Sequence, residues 1–173
     1  MEIRSRAPLR VSYAGGGTDV PPYPSLMGGI VLSCTIKNYA YCSIIPRTDQ
    51  RVTVSKENDG GSVASNSLVK LAGDGEIEFV RAVASRFALE SGFDASLRYD
   101  ALPGTGLGSS SALCVSLVGA FMKWKGSVLT DYDIANLAYE VERKDVGLPG
   151  GMQDQYASTF GGFNLIEFKK EAT

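Results

Sequence analysis

The stretch Leu102-Pro-Gly-Thr-Gly-Leu-Gly-Ser-Ser-Ser-Ala112, running straight into an apolar segment that extends to about Trp124, constrains this chain more than any other. Gly104, Gly106 and Gly108 stand at alternate positions, which permits positive φ and close approach of backbone to a ligand, so that successive amides can turn inward as an anion nest. Ser109, Ser110 and Ser111 then fall where a helix should start, as cap and first-turn residues whose free N–H groups and positive dipole end attract negative charge. The expectation is a phosphate cradle leading into a buried helix. Taken alone, the same residues also describe a Gly/Ser turn that does no more than cap that helix. Two familiar glycine motifs are excluded: the dinucleotide fingerprint, because Gly104-x-Gly106-x-x ends on Ser109 without a βαβ context, and the Walker A loop, because no lysine precedes the serines.

Composition narrows the chemistry. With 173 residues, 44% of them hydrophobic, the chain is long enough for one domain with a proper core. A net charge of −2 and an isoelectric point near 5.2 give no basic footprint, so neither nucleic acid nor a membrane is an expected partner. The absence of histidine removes Ser-His-Asp and Cys-His triads and every His-ligated metal site, leaving carboxylates, Lys, Tyr or Cys as bases. Cys34, Cys42 and Cys114 lack C-x-x-C spacing and read as free, buried thiols in a reducing compartment. Apolar runs such as Ile30 to Cys34 are too short to span a bilayer, and Met1-Glu-Ile-Arg is not a signal peptide, so the expected localisation is cytoplasmic.

Hydrophobic periodicity supplies the elements. Ile3 to Ala14 reads as a strand with Ile3, Leu9, Val11 and Tyr13 inward, followed by the loop Gly15-Gly-Gly-Thr-Asp19 and a proline-rich stretch to Pro24 that prevents regular structure. Gly29–Ile36 and Tyr39–Ile45 read as two strands joined near Lys37-Asn38, and Arg51 to Ser55 as a short third. Gly75 to Ser91 is an amphipathic helix ending on Gly92, and Phe93 to Leu102 is the strand that delivers the chain to the glycine loop. Beyond the buried helix, Thr130 caps a helix with Ile134, Leu137, Ala138 and Val141 inward, Glu142 at the edge of that stripe and Glu140 opposite. Gly147 to Gly151 breaks it, Gln153 to Phe160 forms a short helix, and Gly162 to Phe168 a strand.

Three side chains stand out. Asp154 follows a Gly-Gly pair that admits a ligand, with no basic residue from 146 to 162; it reads as a general base for a hydroxyl or as an ordinary helix-capping aspartate. Asp19, behind three glycines, is either a turn residue or an acceptor for sugar hydroxyls. Arg10 sits in the first strand among apolar neighbours; if it points inward it needs an anion.

Together these segments resemble the GHMP small-molecule kinases. Pro103 to Ala112 is similar to their second motif, P-x-x-x-G-L-G-S-S-A, with Ser111 in the place of the usual first alanine and two residues, not three, between Pro103 and Gly106. Ala7-Pro-Leu-Arg-Val-Ser-Tyr-Ala-Gly-Gly-Gly-Thr-Asp19 resembles the first motif, with Gly16 and Gly17 where galactokinases have an acidic residue and a histidine. Glu142 and Gly147-x-Pro149-x-Gly151-x-x-Asp154 resemble the segment carrying the magnesium carboxylate and the catalytic aspartate. The wording Gly-Gly-Met-Gln-Asp-Gln-Tyr156 and Phe160-Gly-Gly-Phe-Asn164 is most similar to the branch that acts on D-glycero-D-manno-heptose 7-phosphate.

The resemblance implies an α+β fold with a mixed, mainly antiparallel sheet of about five strands, a left-handed βαβ crossover, and helices packed on the sheet. It implies an ATP-dependent sugar kinase that phosphorylates an anomeric hydroxyl. In that scheme backbone amides of Gly104, Thr105, Gly106, Leu107, Gly108, Ser109, Ser110 and Ser111 hold the ATP phosphates, and Ser110 and Glu142 hold Mg²⁺. Asp154 takes the proton of the attacking hydroxyl, Arg10 neutralises charge at the transferring phosphoryl group, and Gly17, Asp19 and Gly151 line the sugar pocket. A kinase for fucose or galactose, or a nucleotide- or sugar-binding module without catalysis, are the alternatives. The family has two domains, with a third glycine-rich motif in the second. Residues 1–173 contain no such motif and resemble the N-terminal domain alone, so an apolar face left by the other half would favour self-association.

Overall fold

The computed structural model describes residues 1–73 and 75–170. Its organising element is β2 (Gly29–Pro46), a strand of 18 residues. β1 (Ile3–Ala14) pairs antiparallel along nearly all of it; β5 (Phe93–Tyr99) pairs with its second half and β6 (Phe163–Phe168) with its first. β3 (Val52–Lys56) lies parallel to β5, and β4 (Ser62–Ser65) closes that edge antiparallel to β3. The result is a six-stranded, mainly antiparallel sheet in the order β1-β2-β5-β3-β4, with β6 also on β2.

The expected break at Lys37-Asn38 is not a hairpin turn. Pro8 pairs with Tyr39 and Arg10 with Thr35, so Ile36, Lys37 and Asn38 face Leu9 alone and the polar pair is absorbed as a bulge. The bulge resets which side chains point inward: Val31 and Ser33 are buried before it, whereas Ala40, Cys42 and Ile44 are buried after it. On β1 the same irregularity leaves two consecutive residues, Leu9 and Arg10, turned away from water. Val11 is only half-buried, and Tyr13, expected inside, is exposed and stacks on Phe163. The short strand β4, for which the sequence offers no pattern, pairs through backbone atoms that Ser62-Val-Ala-Ser65 does not advertise.

The helices cover one face of the sheet. α1 (Tyr23–Met27) starts within the proline-rich stretch expected to be irregular, because Pro22 and Pro24 fall at the cap and first turn, where no helical N–H is required. α2 (Gly75–Arg86) joins the parallel pair β3 and β5 and buries Ile77, Phe79, Val80, Val83 and Ala84. It stops short of Ser91: Ala88 turns left-handed at φ 45°, and Gly92 is not its cap but lies against β3, where a Cβ would meet the Arg51 carbonyl oxygen at 1.9 Å. α3 (Ser109–Lys125) is the central helix, packed on β1 and β2 and flanked by α2, by α4 (Asp131–Glu140) and by α5 (Gln153–Phe160). Thr130 caps α4 in a reciprocal pair with Asp133. Instead of ending, α4 runs into a π-helical turn, Val141–Asp145. Cys42 and Cys114 are buried free thiols and Cys34 is partly exposed. Among the described residues no helix is long and apolar enough to cross a membrane.

Candidate functional site

Arg10 does point inward, and its anion is Asp154. The β-bulge turns the guanidinium under the sheet end, where Nε donates to Asp154 Oδ1 at 2.7 Å and Nη2 reaches the same oxygen. Nη1 donates to the Gly106 carbonyl at 2.6 Å, and the Arg10 backbone N–H donates to that of Leu107 at 3.0 Å. One residue of β1 thus ties the glycine loop to the first turn of α5. Because Oδ1 takes the arginine, Oδ2 of Asp154 remains as the free acceptor; it lies 3.3 Å from where a Cβ on Gly108 would be, facing the start of α3. Burial pushes the Asp154 carboxyl above its ordinary value, against the pull of Arg10.

The glycine loop has the form expected of a cradle. Gly104, Gly106 and Gly108 all have positive φ, and Gly108 in the left-handed region, not a serine, is the N-cap of α3. Ser109 turns its hydroxyl back onto the Ala101 carbonyl at 2.9 Å, closing the loop on β5. Thr105 likewise donates to Leu102 at 3.0 Å. The α3 N-terminus therefore keeps its backbone N–H groups free of side-chain caps, as an anion site requires.

Glu142 was expected at the edge of a stripe and is instead 4% exposed. Glu142 lies in the π turn four residues after the buried Ala138, so it stays on the inward side of the helix, and turns of this kind recur at functional sites. Ser111, rather than Ser110, donates to its Oε2, at 2.7 Å. Ser110 lines the same cavity.

Asp19 is almost fully buried, accepting from Gly17 N at 3.2 Å, Gln153 N at 3.0 Å and Gln153 Nε2 at 3.2 Å. It caps α5 from outside that helix, so Asp154 is not the capping aspartate. Gly151 has to be glycine, since a Cβ would lie 1.9 Å from Asp19 Oδ2. Arg143 clamps the loop before α5, donating to the carbonyls of Leu148, Pro149 and Gly151.

These parts line one cavity of about 540 Å³. It brings together Arg10, Asp19, Gly104, Gly106, Gly108, Ser109, Ser110, Ser111, Glu142, Gly151 and Asp154. Gly17, Thr105 and Leu107 do not line it, and contribute instead a backbone bond to Asp19, a loop closure and the carbonyl held by Arg10. Sequence reasoning missed Arg143, Gln153 and Gln155, of which the two glutamines sit inside the quoted Gly-Gly-Met-Gln-Asp-Gln motif. No cluster of three His, Cys, Asp or Glu side chains among the described residues could hold a metal unaided.

The family described as GHMP kinases N terminal domain matches residues 66–162, and that stretch contains the glycine loop, Glu142 and Asp154. The chain belongs to the GHMP kinase family. Its GHMP relatives include the D-glycero-alpha-D-manno-heptose 7-phosphate kinase of Campylobacter jejuni, 39% identical over 96% of this chain and 50% of that protein. The crystal structure of a D-glycero-D-manno-heptose 1-phosphate kinase from Bacteroides thetaiotaomicron superposes with a TM-score of 0.90 at 43% identity, covering 97% of this chain and 56% of that one. A Methanococcus jannaschii mevalonate kinase shares the GHMP fold at 18% identity, with a TM-score of 0.80 over 100% of this chain and 56% of the other. The chain spans about half the length of the curated relatives it matches.

Proposed function

We propose that these residues form the N-terminal, phosphate- and sugar-binding half of an ATP-dependent kinase. The acceptor we assign is the anomeric hydroxyl of D-glycero-D-manno-heptose 7-phosphate. The observation that carries this reading is the Arg10–Asp154 pair, held at the edge of the glycine loop with one carboxylate oxygen left over. Two of the three relatives named above, each a heptose phosphate kinase by name, support the substrate class.

The chemistry follows from the arrangement. Backbone N–H groups of the loop and the start of α3 receive the donor phosphates. Oδ2 of Asp154 accepts the proton of the sugar hydroxyl, at a point next to the α3 N-terminus where the transferring group must lie. Arg10 keeps Asp154 oriented and places positive charge beside the phosphoryl group, whose loose transition state calls for positioning and charge neutralisation. Asp19, whose Oδ1 already accepts two bonds, offers a sugar hydroxyl the remaining position on Oδ2, at the cavity wall beside Gly151. The donor set fits Mg²⁺: Ser110 and Glu142 offer a hydroxyl and one carboxylate, and this ion takes few protein ligands beside substrate phosphates. Held there, Mg²⁺ would neutralise charge on the phosphates.

The test is product formation by the 173-residue chain with Mg-ATP and a panel of heptose 7-phosphate, fucose, galactose and mannose. Product from heptose 7-phosphate, lost in Asp154→Asn, is the expected result. Product from fucose or galactose alone would reassign the substrate. Saturable ATP binding with no product from any sugar would leave a binding half whose catalysis needs the rest of the longer relatives.

A further inference from the structure

Around Glu142 the hydrogen bonds are more elaborate than burial alone demands. Ser111 Oγ donates to Oε2 at 2.7 Å, and Gln155 Nε2 donates to the same oxygen at 2.5 Å while lying 3.2 Å from Ser111 Oγ. A carboxylate oxygen has two lone pairs, so two donors saturate Oε2. Oε1, by contrast, has among the described residues an ion pair with Arg143 Nη1 at 3.5 Å, beyond good hydrogen-bond distance. The carboxylate is therefore pinned by one oxygen, while the other accepts no hydrogen bond among the described residues.

We propose that Ser111 and Gln155 are positioning residues that hold Glu142 through Oε2 so that Oε1 is presented to the divalent cation accompanying ATP. The proposal rests on the kinase reading above. The three side chains come from three elements, the first turn of α3, the π turn and α5, and meet only because these pack together. Gln155 follows Asp154 directly on α5, so one helix turns a carboxylate to the open cavity and, about 100° further round, an amide to the interior. That amide is fully buried, and its Oε1 has no hydrogen-bond partner among the described residues. Burying an amide oxygen without a partner is unfavourable, so an apolar side chain of the same shape would serve folding better. The half of the amide that is satisfied is the half aimed at Glu142. Ser111, moreover, provides its hydroxyl at the position where the family pattern has alanine.

The test is Mn²⁺ binding, read by electron paramagnetic resonance on the 173-residue chain with a non-hydrolysable ATP analogue, for the wild type, Ser111→Ala, Gln155→Met and Glu142→Gln. Melting curves are taken alongside. Ser111→Ala and Gln155→Met are expected to weaken Mn²⁺ binding by about 10- to 100-fold, as loss of a group orienting a metal ligand does elsewhere. Their sugar affinity should stay at the wild-type value, and Ser111→Thr should restore the cation. Folded Ser111→Ala and Gln155→Met proteins that bind Mn²⁺ as the wild type does, while Glu142→Gln loses it, would overturn the positioning role and leave the kinase reading intact. Wild-type binding by Glu142→Gln, or none by the wild type, would instead overturn the assignment of Glu142 to the cation. If Gln155→Met fails to fold, Ser111→Ala decides, since it removes a single hydroxyl.

Discussion

Asp154 is held by two opposed influences: burial raises its carboxyl above the ordinary aspartate value and Arg10 draws it down, with burial the larger. Below the ordinary value both folded and unfolded chains hold the proton. As pH rises the unfolded chain ionises first, so the stability contributed by Asp154 is complete at low pH and is lost as pH climbs through the raised folded value. Melting temperatures should reveal this as a wild-type advantage over Asp154→Asn that shrinks across that window. In the proposed reaction Asp154 acts in its ionised form, so the acid limb of kcat/KM should lie above the ordinary aspartate range. Asp154→Asn itself should lower turnover by about 10²- to 10⁴-fold while ATP binding, followed by titration calorimetry, changes little. Part of this pairing is legible in the residues: an arginine turned inward needs an anion, but that Arg10 turns inward and that Asp154 is its partner come from tertiary contacts. Gln155 and Arg143 were not legible, because a glutamine and an arginine beside acidic residues look like solvated helix surface until tertiary contacts turn them inward.

At the scale of elements, the sites of error share a cause. Periodicity located β1, α3, α4 and α5 closely, yet it carries no information on where a repeat slips by a residue. The bulge at Ile36–Asn38 and the π turn at Val141–Asp145 are both such slips; Arg10 pairs beside the first, Glu142 lies within the second, and both line the cavity. Gly108 lies at the other end of that design. With φ at 74° and Asp154 3.3 Å from its missing Cβ, Gly108→Ala should cost about 1–2 kcal/mol in the left-handed backbone. Its transfer rate should fall further than this stability loss accounts for, because the carboxylate is displaced; equal losses in stability and rate would contradict the placement. The capping pair of α4 offers the opposite case. Thr130→Ala removes a side-chain bond to Asp133 N and should cost about 0.5–2 kcal/mol in chemical denaturation, with phosphoryl transfer by the folded fraction unchanged.

For the molecule as a whole, the sheet carries an apolar area toward β6. Leu32 and Leu165 are register partners, Ile30 and Phe163 lie two residues along from them on the same face, and Tyr13 stacks on Phe163; all five are exposed. Patches of this kind favour association in water. Sedimentation at rising concentration should show self-association, and Leu165→Lys should suppress it without altering the melting temperature; identical profiles for the two proteins would exclude this face. β2 has a different consequence. It runs the length of the sheet, shared by β1, by β5 at one end and by β6 at the other, so neither end has a set of backbone bonds that can be released without loosening the next. In deuterated solvent its amides are then expected to behave as one foldon, those beside Leu32 exchanging through the same rare opening as those beside Cys42, while the amides of the outlying β4 exchange first. Arg10 pairs with Thr35 of β2, so its contact with Asp154 should be lost in the same opening.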